Sequence, residues 1–186
     1  MHTITSIEIR PITAAEIPLL QELSRNTFSE TFSSVNTAEN MQQYLEQNLS
    51  IEKLTEEWQN EHTRFYFALR DNQLLGYLKL NIGIAQTELR DSLALEIERI
   101  YVLQAYHGQQ VGQVLFEKAM EVAAQEQAQY IWLGVWEENK RALRFYEKNG
   151  FTVFDKHIFR LGNDEQTDLM MKKILNPKLV YTKHAF

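Results

Sequence analysis

The sequence predicts an α/β (α+β) fold: a single domain on a mixed, mostly antiparallel central sheet of about seven strands, with helices on both faces. Three observations carry that expectation. The hydrophobic period alternates between strand-like and helix-like along the chain, in the order β-α-α-β-β-β-α-β-α-β-β. A chain of 186 residues fits one domain and is long enough to bury most of its apolar surface. No internal repeat, low-complexity tract or linker divides it.

Ile7, Ile9 and Ile12 mark a short opening strand. Thr13, with Glu16 three residues later, is the capping-box signature of a helix start, and Ile17, Leu20 and Phe28 then recur at helical spacing. A second helix begins near Thr37 with Met41, Tyr44, Leu45 and Leu49 on one stripe, and is expected to continue through Leu54 and Trp58. Residues 64–69 and 74–82 are apolar and aromatic runs joined by Asp71, Asn72 and Gln73, the pattern of a hairpin. Residues 93–102 form a further strand. Residues 111–124 form a helix with Val111, Val114, Leu115 and Val122 on its apolar side. A strand over 130–136 leads to a helix over 140–148, closed by Gly150 in the usual C-terminal glycine position. Strands near 151–160 and 165–174 complete the order. The domain is expected to span residues 1–175. The tail, 176–186, carries Leu179, Val180, Tyr181 and Phe186, so it is expected to pack on the domain or on a partner subunit, the latter giving a homodimer.

Composition narrows the function. The absence of cysteine excludes disulfides, a thiol nucleophile and cysteine-ligated metal sites. Nineteen basic against twenty-five acidic residues give a net charge of −6, the wrong sign for a general nucleic-acid binder. No apolar run approaches the roughly 20 residues that span a membrane, and Glu8 and Arg10 interrupt any signal-like start, so a soluble cytoplasmic protein is expected. The five histidines, at positions 2, 62, 107, 157 and 184, show no ligand pair at helical spacing, and no metal is expected.

Three segments carry the chemistry. In the strand over 93–102, Leu93, Leu95 and Ile97 place the apolar face on odd numbers, whereas Ile100 and Val102 place it on even ones. Either a β-bulge near Glu98 and Arg99 switches the parity, or the strand is buried on both faces. A bulge would part the neighbouring strands and leave room for a ligand. Next, Tyr106, His107, Gly108, Gln109, Gln110, Val111, Gly112 and Gln113 run from a strand through a glycine turn into a helix. Unpaired amides and the dipole at such a helix start make an anion site. In the third segment Asn139 is the expected N-cap, and Ala142, Phe145 and Tyr146 share one side of a short helix, with Lys140 and Arg141 in its first turn.

Taken together, these segments resemble the GNAT family of N-acetyltransferases over nearly the whole chain. In the family's pyrophosphate motif, Gln/Arg-x-x-Gly-x-Gly/Ala, His107 falls at the first position, Gln110 at the middle glycine and Gly112 at the last. Two of the three positions thus depart from the pattern. Asn139, Ala142, Tyr146 and the closing Gly150 and Phe151 match the family's second cofactor-contacting segment. Residues 95–101, 131–137 and 165–170 further resemble the PaiA-type spermidine/spermine N-acetyltransferases.

The resemblance implies an acetyl-CoA-dependent enzyme that acts on a primary amine, with a polyamine as acceptor, coenzyme A as product and a splayed strand pair that binds the cofactor. Ile100, Tyr101 and Val102 would pair with the pantetheine arm, with the Val102 N–H polarising the thioester carbonyl. Gln109, Gln110, Val111, Gly112 and Gln113 would hold the pyrophosphate. Forming the free base of an alkyl amine at pH 7 costs roughly 4.6 kcal/mol, so a proton acceptor is needed. Glu96 and Glu98 are the available bases. Glu96 aligns with the family's strand carboxylate, and Glu98 could instead bind the cation. Tyr146 would protonate the departing thiolate, and Glu30 is a candidate cation contact in the acceptor pocket. Without cysteine, direct attack in a ternary complex is the expected route. Two other readings stay open: acetylation of a protein N-terminus or another small amine, and a non-catalytic acyl-CoA-binding regulatory module.

Overall fold

The computed structural model describes residues 6–175, so the expected packing of the tail lies outside the described residues. Within them, seven strands form one sheet: β1 (Glu8–Pro11), β2 (Thr63–Arg70), β3 (Gln73–Ile82), β4 (Ala94–Val102), β5 (Tyr130–Trp136), β6 (Thr152–Leu161) and β7 (Asp164–Ile174). Their spatial order is β1-β2-β3-β4-β5-β7-β6. Every neighbouring pair is antiparallel except β4 and β5, which run parallel. Five helices accompany them: α1 (Ile17–Phe32), α2 (Ala38–Asn48), α3 (Ile51–Gln59), α4 (Val111–Gln125) and α5 (Lys140–Lys148). None is long and apolar enough to cross a membrane among the described residues.

Strand alternation sorts the apolar side chains into two cores. Phe65, Phe67 and Leu69 of β2 pack with Leu20, Phe28, Met41 and Leu54 from α1, α2 and α3. Tyr66 and Ala68 of the same strand join Leu115, Phe116 and Ala119 of α4 on the opposite face, together with Ile131, Leu133 and Val135 of β5. The sheet is therefore sandwiched, as the alternation predicts. The hairpin turn is tight because Asp71 and Asn72 both take left-handed backbone, at φ 50° and 64°.

The predicted second helix is two helices. Leu49 is buried, and Ser50 then leaves helical geometry, its hydroxyl accepting the N–H of Lys53 at 3.2 Å to start α3. An apolar stripe continued through this break because the two helices present their apolar sides to the same core. The N-capping serine was the overlooked signal.

At the first helix, Thr13 and Glu16 act as predicted, with one 3₁₀ turn, Ala14–Glu16, preceding α1. The Glu16 carboxylate accepts the Thr13 N–H at 3.0 Å and both outer nitrogens of Arg10, at 2.9 and 2.6 Å. The Arg10 bonds, then the Thr13 N–H, hold its carboxyl down to about 2 from an ordinary 4.5. A depressed carboxylate stabilises the fold above its unfolded value and ceases to do so as pH falls through its folded one. Glu16→Gln is expected to cost roughly 1 kcal/mol in urea titrations at neutral pH. That difference should fade as pH falls from about 4.5 toward about 2.

Candidate active site

Strands β4 and β5 are paired only at Ala94–Tyr130, Leu95–Ile131 and Glu96–Trp132. Beyond that point they part, leaving residues 97–102 and 134–136 on opposite walls of a cleft of about 1490 Å³. The parting coincides with a bulge. Against β3, Ile97 opposes Leu80 and Arg99 opposes Lys79, so Glu98 is the extra residue. Of the two explanations for the parity switch, the bulge is the one observed. Leu95, Ile97, Ile100 and Val102 all join the core under α4, while Tyr101 packs on the side of α1 and α2. The strand beyond the bulge is pressed against β3 at Gly76, where a Cβ would collide with the Tyr101 carbonyl.

Two carboxylates share the α1–α3 face of β4 in contrasting settings. Glu96, 3% exposed, accepts the N–H and hydroxyl of Thr87, and the Asn81 side-chain amide at 3.0 Å. Burial and the nearby Glu98 charge push its pKa upward. Glu98 also accepts from Asn81 but is ion-paired to Lys79 at 2.6 Å and to Arg99 at 3.1 Å. Burial works to raise its pKa, yet Arg99 and Lys79 outweigh that and hold it below the usual range. Glu57 of α3 completes the network, 2.9 Å from Lys79 and 2.8 Å from Arg99. Adjacent carboxylates with pKa values driven apart are the arrangement in which one can accept a proton while the other stays an anion.

The glycine turn has the geometry of an anion site. Gly108 and Gln110 take left-handed backbone at φ 77° and 66°, and the first bond of α4 runs from Val114 N–H to Gln110 O. The amides of Val111, Gly112 and Gln113 thus precede the helical ladder. Gln110 holds, at a cost of order 1 kcal/mol, the conformation that glycine adopts without strain. A Cβ on Gly108 would meet nothing within 4 Å, and one on Gly112 only the Val102 side chain at 4.0 Å, so bulky groups have room there. His107 ties the turn down, its Nε2 2.8 Å from the Val102 carbonyl and its Nδ1 against the Arg141 guanidinium. Gln109 differs from its neighbours. Its side chain is held by Arg70 at 2.8 Å and the Ala105 carbonyl at 3.2 Å, and it does not line the cleft.

On α5, Asn139 is the N-cap as predicted, accepting the Ala142 N–H at 3.1 Å. Gln113 and Asn149 exchange side-chain hydrogen bonds that fasten α4 to the end of α5. Tyr146 is 7% exposed, its ring packed edge-on to Phe145 and Phe151. Its hydroxyl has no hydrogen-bond partner among the described residues, and burial raises its pKa, keeping it protonated at neutral pH. Glu30 of α1 also lines the cleft, its carboxylate accepting the Gln104 N–H at 2.8 Å.

This geometry has known relatives. The model of the acetyltransferase (GNAT) family matches residues 22–151. A protein from Lactobacillus delbrueckii subsp. lactis, described as an uncharacterized N-acetyltransferase, is 39% identical over 171 residues, 92% of this chain and 99% of that protein. The chain belongs to the GNAT family. It is an acetyl-CoA-dependent N-acetyltransferase. A spermidine N(1)-acetyltransferase from Thermoplasma acidophilum is 27% identical, over 81% of this chain and 91% of that protein. The crystal structure of the PaiA N-acetyltransferase of T. acidophilum with coenzyme A superposes with a TM-score of 0.77 at 26% identity, covering 91% and 99% of the two chains.

The cleft of this GNAT chain gathers the candidate residues named from the sequence, the Gln109 side chain excepted. Residues that sequence reasoning missed line it or support it from behind. Asn81 and Thr87 grip Glu96, Lys79 and Glu57 neutralise the bulge, and Gly134, His157 and Asp168 line the far wall. Gly134 and Asp168 lie in the segments 131–137 and 165–170 that carry the narrower resemblance, but no role had been read for either. The others meet through strand register, which has no local signature.

Proposed function

We propose that the enzyme moves the acetyl group of acetyl-CoA to a primary amine of a polyamine such as spermidine or spermine, by direct attack in a ternary complex. The supporting observation is the polarity of the cleft. Lys140, Arg141 and Lys148 line it beside the amide-rich helix start, matching a polyanionic cofactor. Glu30, Glu88, Glu96 and Asp168 line it elsewhere, matching a cationic acceptor. The spermidine acetyltransferase relative adds weight to that choice. A cytoplasmic setting belongs to the same reading.

In this mechanism the amides of Val111, Gly112 and Gln113 bind the pyrophosphate, and the exposed edge of Ile100, Tyr101 and Val102 aligns the pantetheine arm. The Val102 N–H polarises the thioester carbonyl. Glu96, acting through water, takes the amine proton as the C–N bond forms. Tyr146 hydrogen-bonds the sulfur as the C–S bond breaks, and the coenzyme A thiolate that leaves takes its proton from solvent. Glu98 is committed to Lys79 and Arg99, and we assign it to holding the bulge open rather than to proton transfer.

Thermal stabilisation by acetyl-CoA, followed by thiol release over spermidine, spermine and a peptide panel, tests the reading. A peptide preferred by orders of magnitude would replace the polyamine. Glu96→Gln is expected to lower kcat/KM by roughly 100-fold or more. In the parent, activity should fall as pH drops through the raised Glu96 pKa, because only the ionised carboxylate accepts a proton. That acid limb should vanish in Glu96→Gln and persist in Glu98→Gln, displaced to lower pH because the Glu98 charge that helps raise the Glu96 pKa is gone.

A further inference from the structure

His157 of β6 and Asp168 of β7 sit opposite one another, and both line the cleft. Their closest polar atoms, His157 Nε2 and Asp168 Oδ2, are 3.9 Å apart, too far for a hydrogen bond. His157 Nδ1 and Asp168 Oδ1 are buried without a protein partner among the described residues. Buried polar atoms are nearly always paired, and these two belong to cleft-lining side chains that are still 25% and 16% exposed, so a small rotation would present both to a ligand. Asp168 Oδ1, on an ionised carboxylate, can only accept, and His157 Nδ1 is an acceptor when the imidazole is neutral with its proton on Nε2. Their complement is a donor-only group, and an alkylammonium carries three N–H donors.

Charge points the same way. Arg99 is consumed by Glu57 and Glu98, and Arg160 pairs with Glu165 at 2.7 Å. Neither of these cleft cations neutralises Asp168. Burial, partly offset by His157, raises its carboxyl to about 6, which leaves it an anion at neutral pH.

Access and position complete the case. A Cβ at Gly134 of β5 would stand 3.3 Å from His157 Cε1 and 3.6 Å from Asp168 Oδ2, so the missing side chain keeps the approach open. Asp168 opposes Trp136, four residues beyond Trp132, the partner of Glu96 across the seam. It is therefore level with the stretch of β4 just past the bulge, beside the expected reaction centre.

We propose that His157, Asp168 and Gly134 form a subsite for a second, protonated nitrogen of the acceptor, one that is not acetylated. The inference rests on the amine-acetylation reading above and sharpens it. The acceptor must be a diamine or longer, with one nitrogen at the thioester and another at Asp168.

The test compares 1,4-diaminobutane with butylamine as acceptors for the full chain and for Asp168→Asn and Gly134→Ala. The parent should prefer the diamine, and each variant should reduce that preference by roughly 10- to 100-fold, mainly through KM for the diamine. Calorimetric binding of 1,4-diaminobutane to the coenzyme A-loaded protein should weaken in the same variants. Three results would overturn the subsite: a parent that treats the two amines alike, variants that slow both equally, or calorimetric binding indifferent to Asp168. Acetylation of peptides but of neither amine would instead remove the polyamine reading, and the calorimetric result would still decide the subsite.

Discussion

A Tyr146→Phe enzyme is expected to bind acetyl-CoA like the parent and to turn over roughly 100-fold more slowly. The substitution removes one oxygen that has no hydrogen-bond partner among the described residues, from a side chain that lines the cleft. The ring contacts with Phe145 and Phe151 survive, so the fold should be unaffected. The magnitude follows from acidity. A thiol ionises near 8.5, whereas burial lifts this tyrosine above its ordinary 10, so complete proton transfer to a free thiolate is uphill. A strong hydrogen bond to the sulfur as it separates carries most of the effect, which places the loss near the lower end for acid catalysis. Thiol-release kinetics and calorimetry with acetyl-CoA check both halves, and undiminished turnover would remove Tyr146 from the mechanism.

The largest stability effect is expected at Arg99. Arg99, Lys79, Glu57 and Glu98 form a closed set of two cations and two anions, with side-chain exposures of 10, 5, 12 and 18%. Arg99→Met leaves one cation against two buried anions, and breaking such a set costs about 3–5 kcal/mol. Against a typical total of 5–15 kcal/mol, that brings the domain near its limit. A drop of less than about 1 kcal/mol in urea titrations would mean the charges are far better solvated than their burial indicates. The same set explains why the bulge persists. Without it, strand alternation would turn Arg99 to the opposite side of the sheet, into the apolar core under α4. The bulge keeps both Glu98 and Arg99 facing α3, and the unpaired stretch of β4 is the consequence the active site uses.

Much of this was legible in one dimension. Local rules suffice where the cause is local: the Thr13 and Glu16 cap, the Asn139 cap and the hairpin turn at Asp71 and Asn72, while the parity switch marked the irregularity near Glu98 and Arg99 without deciding between a bulge and a doubly buried strand. The helix break at Ser50 was misjudged because one apolar stripe continued across it. Gln110, which departs from the family's glycine, was also ambiguous, since only the backbone shows that it holds the left-handed turn regardless.

Order along the chain and the two apolar faces are encoded in residue spacing, because period and turn chemistry act within a few positions, and the parity switch marks where the seam opens without naming the cause. Which of Glu96 and Glu98 is neutralised, what grips each, and which polar atoms in the far wall go without partners depend on groups brought together from distant strands and helices. Those contacts arise from sheet register and helix packing, so they exist only once the chain has folded.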